Sequence, residues 1–393
     1  MHLTIIFFSV IFLTFVISNS AILPMKYFSN TSGFLFLLRI GFPGDPFYAT
    51  IDINFPYTII TTPFFFSKSY SKTYRIINSS NSLLINKTLI PSYILEDDFS
   101  IHSTSDFTIN NFTFFYANFT SAQIPNTVGL ATSQYSILHT LASSQRIYKE
   151  AIAFGIEDDE GEGYVFLGGF PPIVIKDNDV FESILDTKKG KFTLNVNGLF
   201  IGNDTLNKYN LNMVGIIETN TKYIKVPQKV FNFLYTNLFE QYVKERKCFV
   251  YNNPVNKIIC KYEIIIDFPQ LTFIVRNSKK KRNDNYYLFE YNNRDLWICE
   301  RVHEYTFLII VDNLNKDNNY IHIGTAFYKN HYVEFSYSDK MLHIYHSNKT
   351  GMFQKNPILN ETSFIMLMLI KLNIIFILLQ LIYIFTIINI YKK

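Results

Sequence analysis

Two short segments of this chain, 166 residues apart, end a hydrophobic run in the same way. Thr50-Ile51-Asp52-Ile53-Asn54 and Ile216-Ile217-Glu218-Thr219-Asn220 each place an acid, one further residue and an asparagine after β-branched or apolar residues. Each half also closes on a glycine-containing strand, Phe166-Leu167-Gly168-Gly169 in the first and Ile321-His322-Ile323-Gly324 in the second. This symmetry implies two related lobes with facing acidic loops. A chain of 393 residues is long enough for two such units, each able to bury its own core.

The body between these landmarks reads as strands. Runs such as FLFLLRIGF, PFYATIDI, FTINNFTFFYANF, KFTLNVNGLFIG, QLTFIVRN and FLIIVDN are rich in β-branched and aromatic residues and are separated by turn residues. With 39 Phe and 27 Tyr against only 15 Gly, the chain is too apolar to be disordered and too glycine-poor to be fibrous. Helical patterns are confined to Ser136–Ala142 and Gln228–Lys244, the second led by Pro227. The acidic run at 157–163 lies between AIAFGI and YVFLGG and lacks calcium-ligand spacing, so it reads as a solvated hairpin turn. Lys279-Lys280-Lys281-Arg282, between FIVRN and YYLFEY, reads the same way. The eight histidines are scattered, and no Cys/His spacing suits a metal, so neither a metal nor a cofactor is expected.

The two ends carry a different signal. Residues 1–20 have no charged side chain, and the apolar run from Leu3 to Ile17 is followed by small residues at Ser18 and Ser20. That run is short for a bilayer span, so a cleaved secretory signal peptide over 1–20 is preferred to an uncleaved anchor, although the usual basic start is missing. Leu372–Ile390 is 19 residues without a charge, long enough to cross a bilayer, and Lys371, Lys392 and Lys393 flank it. The apolar residues from Ser363 extend it if Lys371 snorkels, giving a transmembrane helix over 363–391 and a cytosolic tail over 392–393. A removed GPI signal is the alternative, but the polar spacer it needs is absent. The implied protein is a single-pass type I membrane protein of the secretory pathway, on the cell surface or an endolysosomal or vesicular membrane. Eight Asn-x-Ser/Thr sequons, at Asn30, Asn78, Asn86, Asn111, Asn118, Asn203, Asn348 and Asn360, all lie between the two apolar ends. The three cysteines, Cys248, Cys260 and Cys299, allow one disulfide and leave one thiol over. Residues 21–362 hold 33 basic and 32 acidic side chains, a balance that gives no footprint for nucleic acid.

From about Phe34 to Tyr345 the sequence resembles the pepsin-like aspartic protease family. Arg39-Ile40-Gly41-Phe42-Pro43-Gly44-Asp45-Pro46-Phe47 is similar to the family's strand before its first catalytic aspartate, and Val214 to Thr221, with Pro227 downstream, resembles the second catalytic motif. Thr127-Val128-Gly129-Leu130, Gly163 to Gly169, Lys191 to Gly198 and Tyr320 to Tyr345 resemble further landmarks in the family's order. The resemblance implies a mostly β, bilobal pepsin-like fold with a few short helices, in addition to the C-terminal transmembrane helix. It divides the body into an N-terminal lobe over 21–185, a C-terminal lobe over 186–346 and a stalk over 347–362.

The resemblance also implies chemistry: two coplanar carboxylates sharing one proton, one acting as base on a water and the other as acid on the scissile carbonyl. Asp52 and Glu218 occupy those positions, and Glu218 carries one methylene too many for the geometry. Ile53-Asn54 and Asn220 stand where the family has Thr-Gly and Gly, and Phe55-Pro56 follows where small residues belong. Tyr93 aligns with the family's flap tyrosine, and Tyr93, Thr219 and Thr221 are the implied substrate contacts. By position Cys260 and Cys299 match the family's second-lobe disulfide, with a Cys248–Cys260 loop as the competing connectivity. Only 13 to 15 residues separate the expected cleavage site from the first matching strand, which leaves no room for an inhibitory propeptide. Three functions are consistent with these residues. The preferred one is a catalytically degenerate, monomeric protein whose inter-lobe cleft binds peptide or protein. The others are a divergent acid endopeptidase using Asp52 and Glu218, and an adhesion or coat ectodomain with a closed cleft.

Overall fold

In the N-terminal half, alternating burial along Phe34–Ile40 marks a strand with one face on the core, and the same pairing logic organises everything around it. A computed structural model describes residues 21–346, apart from 28–32, 42–43, 45, 62–70, 86–87, 102–107, 118–124, 157–161, 171–179, 187–189, 203–207, 252–255, 277–285, 294, 302 and 312–318. The first half comprises β1 (Ala21–Tyr27), β2 (Phe34–Ile40), β3 (Pro46–Asp52), β4 (Ile59–Ile60), β5 (Arg75–Ile85), β6 (Thr88–Ile101), β7 (Thr108–Tyr116), β8 (Thr127–Gly129), α1 (Ile137–Ser143), β9 (Ala151–Ile156) and β10 (Glu162–Leu167). The second comprises β11 (Val180–Asp186), β12 (Lys191–Ile201), β13 (Lys208–Ile217), β14 (Ile224–Val226), α2 (Gln228–Leu234), α3 (Glu240–Lys244), β15 (Cys248–Tyr251), β16 (Lys257–Lys261), α4 (Tyr262–Ile266), β17 (Leu271–Arg276), β18 (Tyr286–Tyr291), β19 (Trp297–Arg301), β20 (Glu304–Phe307), β21 (Ile309–Val311), β22 (Tyr320–Ile323), β23 (His331–Ser336) and β24 (Met341–His346).

The body is mostly β and bilobal, with few short helices, as expected. Both predicted helices form: α1 falls within a residue of its expected span, and α2 and α3 are joined by a π turn at Tyr235–Phe239. The strands flanking the two charged runs pair antiparallel, Gly163 with Ile156 and Arg276 with Tyr286, while the charged runs fall largely (157–161) or wholly (279–282) outside the described residues.

The lobes join through an antiparallel floor of strands in the order β1, β10, β9, β23, β24, β11, three from each half. Aromatic rings tie the halves beneath it: Phe34 stacks on Phe154 at 5.1 Å, Phe154 meets Phe335 at 6.0 Å, and Phe192 meets Phe335 and Tyr337 at 5.1 Å each. Such pairs add to the burial of the rings themselves.

Above the floor, each lobe repeats one device. β3 runs parallel to β8 with Asp52 opposite Gly129, and β13 runs parallel to β22 with Ile217 opposite Ile323, so Glu218 follows next to Gly324. β4 and β14 then return antiparallel against β8 and β22. Both glycines are required by close approach. A Cβ on Gly129 would collide with the Phe55 and Tyr57 carbonyls, and one on Gly324 with the equivalent Thr221 and Tyr223 carbonyls. The symmetry expected from the two acid-x-Asn segments is thus a repeat of backbone topology.

The disulfide differs from the one implied by family position. Cys248 and Cys260 lie directly opposite one another on β15 and β16, with Cα atoms 4.1 Å apart, and they are bonded. Cys299 is an exposed free thiol on β19. Strand β20 lies between β16 and β19, which separates Cys260 from Cys299 by two strand spacings, about 9–10 Å, beyond disulfide reach. The segments expected to be a signal peptide (1–20), stalk, transmembrane helix and tail all lie outside the described residues, as do Asn30, Asn86, Asn118, Asn203, Asn348 and Asn360. Among the described residues no helix is long and apolar enough to cross a membrane.

Alkylation of the native full chain is expected to label Cys299 and spare Cys248 and Cys260. Replacing both bonded cysteines by Ala should lower stability by about 2–3 kcal/mol, from a closed loop with a sequence separation of 12, whereas Cys299→Ser should change it by under about 0.5 kcal/mol.

Candidate functional site

The acids sit where the two loops meet, and the loops are held together by hydrogen bonds that cross between lobes. Thr219 is fully buried; its hydroxyl donates to the Ile51 carbonyl at 2.7 Å and accepts from the Ile53 amide at 3.3 Å. In the return direction, the Asn54 side-chain amide donates to the Ile217 carbonyl at 2.8 Å. Ile53, at the position where the resemblance calls for a hydroxyl, is fully buried and packs in the core instead. Its carbonyl accepts from the Tyr337 hydroxyl at 2.7 Å, and the Phe34 amide donates to the Thr219 carbonyl at 3.0 Å.

Each carboxylate is then held by its own set of partners. Asp52 Oδ1 accepts from the Asn54 amide at 2.8 Å, and Oδ2 accepts from the Asn220 side-chain amide at 2.7 Å. Glu218 Oε1 lies 2.7 Å from His322 Nδ1, and Oε2 lies 3.6 Å from Lys225 Nζ. No hydrogen bond joins Asp52 to Glu218. The Asn220 side chain, at a position where the resembled motif has glycine, donates to one of the two Asp52 oxygens.

These surroundings push the two acids in opposite directions. Burial raises the Asp52 carboxyl above the ordinary aspartate value; the Asn54 amide works against this, and the charge of Glu218 adds to it. Burial also acts on Glu218, but the His322 hydrogen bond and then the Lys225 and His322 charges outweigh it, leaving Glu218 below the ordinary glutamate value. The structure therefore offers one carboxyl shifted up and one shifted down from their ordinary values, with no hydrogen bond between them.

Of the expected substrate contacts, Thr219 braces the loops as described. Thr221 is also buried: its hydroxyl accepts from the Tyr223 amide at 3.3 Å and its carbonyl from the Thr325 amide at 2.8 Å. Tyr93 lies on β6, 40% exposed, with its ring 6.3 Å from Tyr116, and it touches neither acid. Shortly after Asp52 in the chain, Tyr57 meets Phe55 at 5.7 Å and Phe115 at 4.9 Å. Among the described residues no group of His, Cys, Asp and Glu could hold a metal.

Sequence reading missed His322, Lys225 and Lys191. The first was within reach: once Glu218 ends a strand parallel to the one ending at Gly324, the side chain two residues before that glycine stands beside the acid. Lys225 follows from the same register, since it pairs with His322 across β14 and β22.

The structure is similar to that of the aspartic proteinase from Irpex lacteus, with a TM-score of 0.64 and 12% identity over 85% of this chain and 100% of that one. Soybean basic 7S globulin aligns with a TM-score of 0.63 and 15% identity over 83% and 94%, and EDGP with 0.61 and 12% over 83% and 94%. No family model matches the sequence, and no curated protein matches it. At these identities the likeness shows the pepsin-like fold.

The opposite shifts predict opposite pH profiles in thermal unfolding. Asp52 is raised, so its ionisation disfavours the fold above the raised value and the penalty is relieved as pH falls. Asp52→Asn is expected to raise Tm near pH ~7, with the gain fading towards pH ~4. Glu218 is lowered, so its contribution is present above the unfolded glutamate value and lost as pH falls through the folded one. Glu218→Gln is expected to lower Tm near pH ~7, with the difference closing below pH ~4.

Proposed function

We propose that this chain is a membrane-tethered protein of the secretory pathway whose pepsin-like body has lost efficient peptide hydrolysis and binds peptide or protein in the cleft between its lobes, as a monomer. The observation that carries this reading is the separate engagement of the two carboxyls. Asp52 is bonded to Asn220 and Asn54, and Glu218 to His322 with Lys225 beside it. Activating a water between two carboxyls requires them to share a proton at close range, and a misplacement of ~1 Å can cost on the order of 10²-fold in rate. Here a glutamate and an inserted amide stand in the way together.

One observation favours a second reading, a divergent aspartic endopeptidase acting at acid pH. A carboxyl raised above its ordinary value beside one lowered below it has the direction of splitting that an acid–base pair needs. Turnover separates the two. Incubating the full chain with a mixed peptide library between pH ~3 and ~7, beside Asp52→Ala, is expected to give no cleavage above the variant. Acid-dependent cleavage abolished by Asp52→Ala would establish the second reading instead.

The secretory and membrane assignment rests on the charge-free ends and the sequons. Of the latter, Asn78 and Asn111 are exposed on strands β5 and β7. Expressed in a eukaryotic secretory host, the chain is expected to stay with membranes after alkaline carbonate extraction. Its electrophoretic mobility should shift on endoglycosidase treatment, and the shift should shrink in Asn78→Gln and Asn111→Gln. A soluble, unglycosylated product would overturn the assignment.

A further inference from the structure

We propose that the outer face of the main sheet in the second half carries a saccharide site, separate from the two acids and independent of the cleft reading above. The site lies on β13, β12, β17 and β18, which pair side by side in that order. Asn210, Gly198, Ile274 and Leu288 form one row across these four strands. Residues directly opposite one another share a face, so the row has no side chain at Gly198, between Asn210 and Ile274. Leu199, Leu211, Phe273 and Phe289, on the other face, are buried in the core. A depression of about 490 Å³ opens on the outer face. That volume falls within the roughly 300–1,000 Å³ of small-molecule sites.

Two irregularities in the sheet meet at this point. Val196 pairs with Met213 and Gly198 with Asn210, so Asn197 faces two residues of β13, Leu211 and Asn212. On its other side Asn197 is the extra residue, because Val196 pairs with Val275 and Gly198 with Ile274. Asn212 has a left-handed backbone at φ 47°, a conformation asparagine adopts more readily than most residues. Bulges re-aim side chains, and here both asparagines line the depression. Their amides meet at 3.5 Å, the long limit of a hydrogen bond, and among the described residues neither side chain makes another. The Asn210 side chain makes none among those residues, and Asn197 Oδ1 is buried without a partner. A buried amide oxygen left unpaired is costly, and a donor on a ligand would relieve it.

The lining suits a sugar ring. Each carboxamide offers donors and an acceptor together, as neighbouring sugar hydroxyls require, and the ring carbons of a pyranose present an apolar face. Phe200 lies one pleat to one side of the row and Tyr286 one pleat to the other, with Ile274 and Leu288 between them. These side chains give the apolar face a surface to pack on. Lys208 is the one charged residue in the lining, and its ammonium stands over the Phe200 ring, 5.9 Å from the centroid. Recognition of a charged peptide would call for more than this. An added strand would find no free edge on β12 or β17, because both pair with a neighbour on each side.

The test is retention of the full-length chain on beads that carry many copies of one oligosaccharide, ending in mannose, galactose, N-acetylglucosamine or sialic acid. Beads carrying apolar peptides run beside them. Many copies bring a weak single-site affinity into a measurable range. At least one neutral sugar is expected to retain the chain and to release it when the same free monosaccharide is added. Asn210→Ala and Tyr286→Ala, both at exposed positions, are each expected to weaken retention by roughly 10-fold. Gly198→Ala is expected to weaken it too, since the added Cβ enters the depression 3.0 Å from Ile274 Cδ1. Retention on no sugar, or on the peptide beads alone, would overturn the proposal. Sugar retention that all three variants leave unchanged would place the sugar elsewhere and overturn the site. Retention on sialic acid alone, lost in Lys208→Gln and kept in Asn210→Ala, would overturn recognition by the amides in favour of a charge contact. Three separate positions keep the site open to refutation if one variant fails to fold.

Discussion

The Thr219 hydroxyl is the bond on which the centre of this molecule turns. It is fully buried and joins one lobe to the backbone of the other on both sides of Asp52, through the Ile51 carbonyl and the Ile53 amide. Left unpaired in so buried a place, any of these groups would cost about 1–3 kcal/mol. The loops therefore have one arrangement that satisfies them, and that arrangement sets where Asp52 and Glu218 point. In a symmetric version a second hydroxyl would answer from the first lobe. Ile53 supplies none, and the return bond comes from the Asn54 amide to the Ile217 carbonyl. The two loops remain joined, with an amide where a hydroxyl would otherwise serve.

That replacement explains why the departures from the resembled motifs are not independent. Asn54 substitutes for glycine and makes the cross-lobe bond that Ile53 cannot. Asn220 substitutes for glycine in the other loop and caps Asp52. Glu218, one methylene longer, reaches His322. Together they place three hydrogen bonds around the acids, while Asn54 Oδ1 and Glu218 Oε2 are buried without a hydrogen-bond partner. The loops were thus legible as altered, but the direction of the alteration was not. From the sequence, Asn54 and Asn220 read as obstacles to catalysis; in the fold they are donors to the Ile217 carbonyl and to Asp52.

How far the sequence could be read depended on the range of the interaction. Strand runs, the helices at α1 and α2–α3, and the position of each acid follow from local composition and from a repeat separated by 166 residues. The partner of Cys260 did not, because the choice between Cys248 and Cys299 turns on whether β20 enters between β16 and β19. Position in a resembled motif is silent on that point. His322 and Lys225 depended on the parallel register of β13 with β22, 104 residues apart at the Glu218–His322 contact. The surroundings of Tyr93 were hidden from the sequence for a related reason. Residues on a hairpin can be placed by counting, but where the hairpin leans is set by what packs against it, and here Tyr93 lies against Tyr116 on β7.

The floor also fixes how the two lobes sit against each other. Glu334, on β23 and buried, receives Lys149 at 2.7 Å from the other half of the chain, and its second oxygen accepts from the Phe170 amide at 3.0 Å. Burial works against the Lys149 ammonium, but the Glu334 charge and hydrogen bond outweigh it and hold Lys149 protonated. A buried ion pair contributes little net stability against an apolar pair of the same shape, because desolvation consumes most of the attraction, yet removing one partner is costly. Its effect is therefore on geometry: sliding β9 against β23 would strand a buried charge. The aromatic contacts of Phe34, Phe154, Phe335 and Phe192 resist the same motion through packing. Lobes fixed in this way hold His322 and Lys225 in place around Glu218.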